Sequence, residues 1–344
     1  MISFSRRNFM KKSILAAATL AALGCASTIY ASTSVKIDLD GSGAGSTDSQ
    51  YNVTSLDWDV GNSLSVAKQN ESLAAGSTYV GQVFATYFHA NLGNFKRIVG
   101  GIDKVIGGTN LNNTYEWTVV AGFAEKFSEV TPSPGLGSLA FDVLNQSSNF
   151  FQIWYDTSMD YNNLTGRGFN NGKLILEGRI ISGQGKFVAE GGLDANGQPN
   201  HPLDTYNSDD YPNIKTMTGQ GSTSVTVQVT NQDSDFFKEH LDSFVLDFTT
   251  QIKLPYITQD PSACFWNGLA EIGGAGGQGT GCANTIGTLN GGPALMGGGP
   301  NLALQVDASN NFNSNKVPEP ASLAVLGLGA LAMCAASRKN RNAA

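Results

Sequence analysis

SVTVQVTN, residues 224–231, sets the fold class. Val225, Val227 and Val229 alternate with Thr226, Gln228 and Thr230. A period of two gives a strand with one dry face and one wet face. Working outward, SFVLDFTT (243–250) places Phe244, Leu246 and Phe248 on one face, and NLALQVDA (301–308) does the same with Leu302, Leu304 and Val306. EWTVVAGF (116–123) and FFQIWYDT (150–157) are rich in the aromatic and β-branched residues that suit a pleated surface. KLILEGRIISGQGKFVAE (173–190) predicts a hairpin turning at 182–185. Only 236–241 and 98–106 read as short helices. Many short strands between Gly- and Asn-rich turns predict an all-β fold, an antiparallel β-sandwich-like domain with long Gly/Asn-rich loops. Residues 193–213 and 273–299 are the longest predicted loops. No internal repeat of fixed period appears.

Composition agrees with an exported β protein. Charged residues make up 14% of the 344-residue chain, against about 25% in ordinary globular domains. Glycine, at 41 residues, fills part of the gap.

Both ends differ from this middle. Arg6, Arg7, Lys11 and Lys12 form a basic region ahead of an apolar run at 13–24. That run is too short to span a membrane for good, and small residues near Ala31 suit cleavage, so residues 1–31 read as a signal peptide. SRRNFMK (5–11) resembles the twin-arginine export motif, while an ordinary Sec signal fits the same basic region. ALGC (22–25) approaches a lipoprotein box, but Ala22 stands where Leu is usual. At the other end, residues 321–337 carry no charge. As a helix they reach about 25 Å, near the lower limit for crossing a bilayer. Arg338, Lys339 and Arg341 follow and would stay on the cytoplasmic side. Just outside this run stand Pro318, Glu319 and Pro320. Pro320 suits a first helical turn and Glu319 the positive end of the helix dipole. An extended, unpaired triplet beside a membrane is what a processing enzyme needs, and an uncut anchor fits the same physics. The division is therefore a signal at 1–31, a β-rich extracellular domain at 32–315, and a tail with a transmembrane helix at 316–344.

The formal charge of −7 understates the domain. With four bases in the leader and three after the apolar tail run, 14 bases face 28 acids, a net of about −14. Such a surface excludes nucleic acid and anionic lipid as partners and favours divalent cations or basic partners. Of four cysteines, Cys25 belongs to the leader and Cys334 to the tail. Cys264 and Cys282 remain, framing a Gly-rich stretch in an oxidising compartment, and are expected to form a disulfide. Closing that loop stabilises by about 3 kcal/mol in the chain-entropy picture.

Catalytic motifs are missing from the sequence. There is no G-x-S-x-G and no H-E-x-x-H. His89, His201 and His240 are far apart, and His89 lies in a strand-like segment where a packed histidine is the plainer reading. GAGGQG (274–279) follows no strand and opens no helix, so it reads as a loop rather than a nucleotide site. Asp57 and Asp59 flank Trp58, which reads as a core aromatic with two solvated acids. Asp38 and Asp40 in DLDGSG match the first half of a calcium loop, but Ser49 stands where the closing acid should be. Asp194, Asp204, Asp209 and Asp210 form a second acid-rich candidate. No cofactor is expected beyond Ca²⁺ at these acids.

VPEPASLAVLGLGALAM (317–333) followed by SRKNR (337–341) resembles the PEP-CTERM sorting signal of Gram-negative bacteria in order and spacing. That resemblance implies recognition at Pro318, Glu319 and Pro320 by an exosortase. It implies a transient inner-membrane anchor through the tail helix and delivery to the cell surface or extracellular matrix. SLDWDVGNSLSVA (55–67), GRGFNNGKLILEGRI (166–180) and the stretch at 301–320 resemble flocculation-associated PEP-CTERM proteins. This second resemblance implies a non-catalytic role in cell cohesion, in a floc or biofilm, with exopolysaccharide or another cell-surface polymer as partner. A secreted carbohydrate-active enzyme and a calcium- or glycan-binding module are the alternatives. If the tail is a processed address, Glu319→Ala leaves the domain folded and full-length protein accumulates in the inner membrane. Fractionation showing the variant exported at the normal rate would sink that reading.

Overall fold

The structure is a computed structural model. It describes residues 34–312 except 43–48, 68–79, 132–136, 193, 196–198, 207–209, 250–255, 274–281, 283 and 286–300. All of these lie in one compact unit, Thr33–Val317.

The described residues are all-β. In chain order the strands are β1 (Val35–Asp38), β2 (Gln50–Val53), β3 (Ser55–Ala67), β4 (Val83–Val99), β5 (Ile102–Val105), β6 (Glu116–Thr131), β7 (Ser138–Leu144), β8 (Phe150–Asp156) and β9 (Lys173–Gly191). They continue with β10 (His201–Pro202), β11 (Lys215–Thr216), β12 (Thr218–Gln232), β13 (Ser243–Thr249), β14 (Cys264–Trp266), β15 (Glu271–Gly273), β16 (Asn284–Thr285) and β17 (Leu302–Asn311).

Ten of these strands form one sheet. β5 only extends β4 as a hairpin, and β7 and β8 share one position between β6 and β9. That leaves eight positions, β3, β4, β6, β7/β8, β9, β12, β13 and β17, each antiparallel to the next. The last returns to the first, since β17 pairs with β3 from Leu302↔Ser65 to Asn311↔Ser55. The expected antiparallel domain is therefore a single sheet closed on itself, and its two facing layers are the two halves of that ring. An eight-stranded ring leaves an interior just wide enough for side chains to fill. Aromatic rings meet across it: Phe88 packs edge-on to Phe248 at 5.0 Å, and Phe151 edge-on to Phe244 at 5.2 Å.

The alternation in SVTVQVTN places Val225 and Val227 in the core, with Val229 packed against it. The same holds for Phe244, Leu246 and Phe248. One end of the ring is plugged. Val35, Ile37 and Leu39 enter the core beside Trp117, Phe236 and Phe237. The Trp117 indole donates to the Leu39 carbonyl at 3.0 Å, and β1 bonds the turn before β13 through Asp38 N–H to Phe236 O.

Three sequence expectations are corrected. Residues 182–185 do not turn; they run through the middle of β9. Gly185 faces inward, where an added Cβ would meet the Phe141 ring at 2.0 Å, so this glycine admits an aromatic ring rather than bending the chain. Residues 98–106 are not helical; they form the β4–β5 hairpin, with Gly100 and Gly101 at φ of 63° and 80° in its two-residue turn. That turn suits the twist of a hairpin and demands glycine-like freedom at both positions. Residues 236–241 also form turns and bends rather than a helix.

The position shared by β7 and β8 has a gap at 145–149, and one side chain bridges it. Asn149 is buried. Its Oδ1 accepts from Ala124 N–H at 3.0 Å, and its Nδ2 donates to the carbonyls of Leu144 at 2.7 Å and Ile180 at 2.8 Å. The amide thus replaces ladder bonds on both sides. Asn149→Ala and Asn149→Asp should each destabilise the domain by about 2–4 kcal/mol, since each strands buried backbone groups. A urea-denaturation midpoint unchanged in both would refute the bridge.

Candidate functional site

The sequence candidates fall in different places. Pro318, Glu319, Pro320 and Asp209 lie outside the described residues. Cys264 and Cys282 are joined by a disulfide, with Cα atoms 5.7 Å apart. Asp38 is fully buried in the plug. Its Oδ1 accepts from Ser49 Oγ at 2.7 Å and its Oδ2 lies 3.8 Å from Lys238 Nζ. Asp40 receives Ser42 N–H at 3.0 Å. Burial works to raise the Asp40 carboxyl, but hydrogen bonds from Ser42 and Ser49 and the link to Asp38 outweigh it and hold it below the usual range. Asp194 follows β9 and is exposed. Asp204 is buried, and its Oδ2 accepts from Tyr211 N–H at 3.0 Å. Asp210 is half-buried beside Tyr211. Among the described residues, no group of three or more His, Cys, Asp or Glu side chains could hold a metal ion.

The outer face of β4 carries His89, wedged between the rings of Phe169 at 4.2 Å and Phe265 at 4.7 Å. Its Nε2 meets Ser262 Oγ at 2.7 Å. Ser262 in turn donates to the Asn163 carbonyl. The serine proton is thus committed, so His89 Nε2–H is the donor in the pair. That is the reverse of a base activating a nucleophile. Burial lowers His89 to about 3, and Ser262 is itself buried. The pair pins the covering segment to the sheet. Trp58 fills the core as expected, while Asp57 forms an ion pair with Lys96 at 2.8 Å.

The sequence reading missed the most unusual group. Glu125 on β6 is paired across the ladder with Phe84 and alternates with the core residues Ala121 and Phe123. It therefore points into the ring, near the end opposite the plug. Its Oε2 accepts from Thr86 Oγ1 at 2.5 Å, and Thr86 meets Ser65 Oγ at 3.0 Å. Oε1 has no hydrogen-bond partner. Around it Phe84 stacks on Phe127 at 4.7 Å and meets Phe141 edge-on at 5.9 Å. Burial pushes the Glu125 carboxyl up to about 8, although the Thr86 bond pulls the other way. At neutral pH it is a neutral acid, able to donate as well as accept. Only alternation along β6 hints at this position, and lysine at 126 hides it.

A second buried carboxyl, Glu116, lies on the outer face of β6. Burial raises it to about 7, against backbone hydrogen bonds from Asp160 and Tyr161.

Residues 316–339 match the PEP-CTERM protein-sorting motif. No curated protein and no solved structure matches the chain. The motif defines the class: an exported, exosortase-targeted protein of the Gram-negative cell envelope, here with an all-β domain ahead of its address.

The two buried groups give opposite pH dependence. Glu125 is raised from 4.5 to about 8, so its neutral form stabilises fully below pH 4.5 and the benefit is lost as pH climbs through 8. His89 is lowered from 6.5 to about 3, so its contribution is full above pH 6.5 and lost as pH falls through 3. Glu116, raised from 4.5 to about 7, loses its share over the same range as Glu125, so stability should be greatest near pH 4.5 and decline toward pH 8. Glu125→Gln should flatten the alkaline limb, which amounts to a few kcal/mol. Melting curves from pH 4 to 9 that show the same alkaline limb in the variant would contradict this.

Proposed function

We propose that this protein is a non-catalytic cohesion element of a floc or biofilm, held at the cell surface or in the matrix with exopolysaccharide. The observation that carries the reading is the sorting motif at 316–339 joined to a closed barrel with a plugged, aromatic-filled interior. A closed ring has few exposed backbone edges, so it resists unfolding and pairing errors in a crowded polymer. Its acidic surface supports the same role in a specific way. A domain near −14 repels its own copies and acidic polysaccharides, so cohesion requires a bridge. Ca²⁺ is the simplest bridge, because it takes six to eight oxygens from several chains at once. Exposed acids such as Asp194, with Asp210, are the first candidates.

Cells lacking the protein should aggregate poorly, and the full chain should restore aggregation. Aggregates should loosen on chelation and re-form with Ca²⁺, while sodium at matched ionic strength should not substitute. Normal aggregation in the deleted strain would overturn the cohesion role, and rescue by sodium would overturn the bridge.

A further inference from the structure

The β4–β5 hairpin gathers four of the nine large apolar residues exposed among the described residues. Ile98, Val99, Ile102 and Val105 are 38%, 43%, 62% and 53% exposed. Gly100 and Gly101 make the tip between them. Arg97 and Lys104 stand directly opposite each other on the same face as the Val99↔Ile102 pair. Like charges in that position repel, and neither has an ion-pair partner among the described residues. An anion between them would turn that repulsion into attraction. An apolar tip backed by a basic collar, on a domain whose net charge of about −14 as a whole disfavours anionic lipid, has the chemistry of a local interfacial anchor.

The hairpin and the end of β17 share one rim of the barrel. Asn311, Ser55 and Lys96 form one row across β17, β3 and β4. Neighbouring strands are about 4.8 Å apart, so the chain leaves the barrel about 10 Å from the hairpin base. β17 and β4 both run toward this rim, since each is antiparallel to β3. Beyond Lys96 the hairpin projects about 14 Å. Residues 313–320, which separate Phe312 from the apolar run at 321, can reach at most about 28 Å.

We infer that the β4–β5 hairpin docks on a bilayer surface bearing anionic headgroups, inserting Val99 and Ile102 while Arg97 and Lys104 hold the headgroups. The direction of approach rests on the reading of the tail as a membrane-inserted sorting segment; the tip chemistry does not. A second copy is the poorer occupant of this edge. Ile106 N–H bonds Phe95 O, so the alternate residues Asp103 and Val105 present their backbone outward. Antiparallel pairing of two copies centred on Lys104 or Asp103 sets like charges against each other, which repels, and leaves a pairing centred on Val105 at the end of the strand.

The test uses the mature exported protein, in co-sedimentation with vesicles of phosphatidylcholine alone or with one-third phosphatidylglycerol. Binding to the phosphatidylglycerol vesicles is expected, weakening with salt. Ile102→Asp should lower it roughly tenfold. Arg97→Glu with Lys104→Glu should remove the preference for anionic vesicles. Leu269→Asp, at an apolar residue 89% exposed elsewhere, should change nothing. No binding, equal binding by the Ile102 variant, or equal loss in the Leu269 variant would overturn the inference. So would sedimentation showing a dimer that Ile102→Asp dissolves. Vesicle binding is read on protein already released from its tail, so its failure leaves the sorting reading standing, and failed sorting leaves this result interpretable.

Discussion

The ladder between β3 and β17 joins residues almost 250 positions apart, and everything inside the barrel depends on it. Without it, the sheet is an open meander with two long edges and a wet inner face. With it, Trp58 donates its indole N–H to Asn310 across the seam, Ala308 and Val306 enter the core, and Phe312 reaches Phe244. Each of these contacts requires closure first. The stability of an eight-position ring is therefore cooperative to an unusual degree, since no stave buries its inner face alone.

The interior is asymmetric along its axis. At the plugged end, aromatic rings and β1 exclude water, and Asp38 is neutralised by Lys238. Toward the other end, the inward positions include Ser65, Thr86 and Glu125, a hydrogen-bonded series on three adjacent strands. Burial there favours the neutral acid, so the barrel keeps its dry interior without a counter-cation. The outer face of β4 follows the same economy: His89 is neutral, stacked and committed to Ser262. Buried polar groups in this domain serve to fix one segment on another.

Much of this was legible beforehand, and the failures have physical causes. Strands such as β12, β13 and β17 announce themselves because alternation is local. Closure is not local, and nothing in NLALQVDA says that its partner is SLDWDVGNSLSVA. The glycines of SGQG look like a turn because a turn and a close-packed strand both need a missing Cβ; only the position of Phe141 tells them apart. Gly100-Gly101 was a turn signal overridden by an apolar run that read as helical. Asn149 and Glu125 are single residues whose importance comes entirely from register. The sorting motif at 316–339 was legible because a linear signal needs no fold.

The seam also sets an order of events. The last stave ends at Asn311, only a few residues before the sorting motif begins at 316. A ribosome that stalls early releases a chain without the closing strand, and the same chain lacks the address. The closing strand and the sorting motif thus fall within one short stretch of sequence. Incomplete barrels, whose open edges are prone to aggregate, therefore also lack the sorting motif.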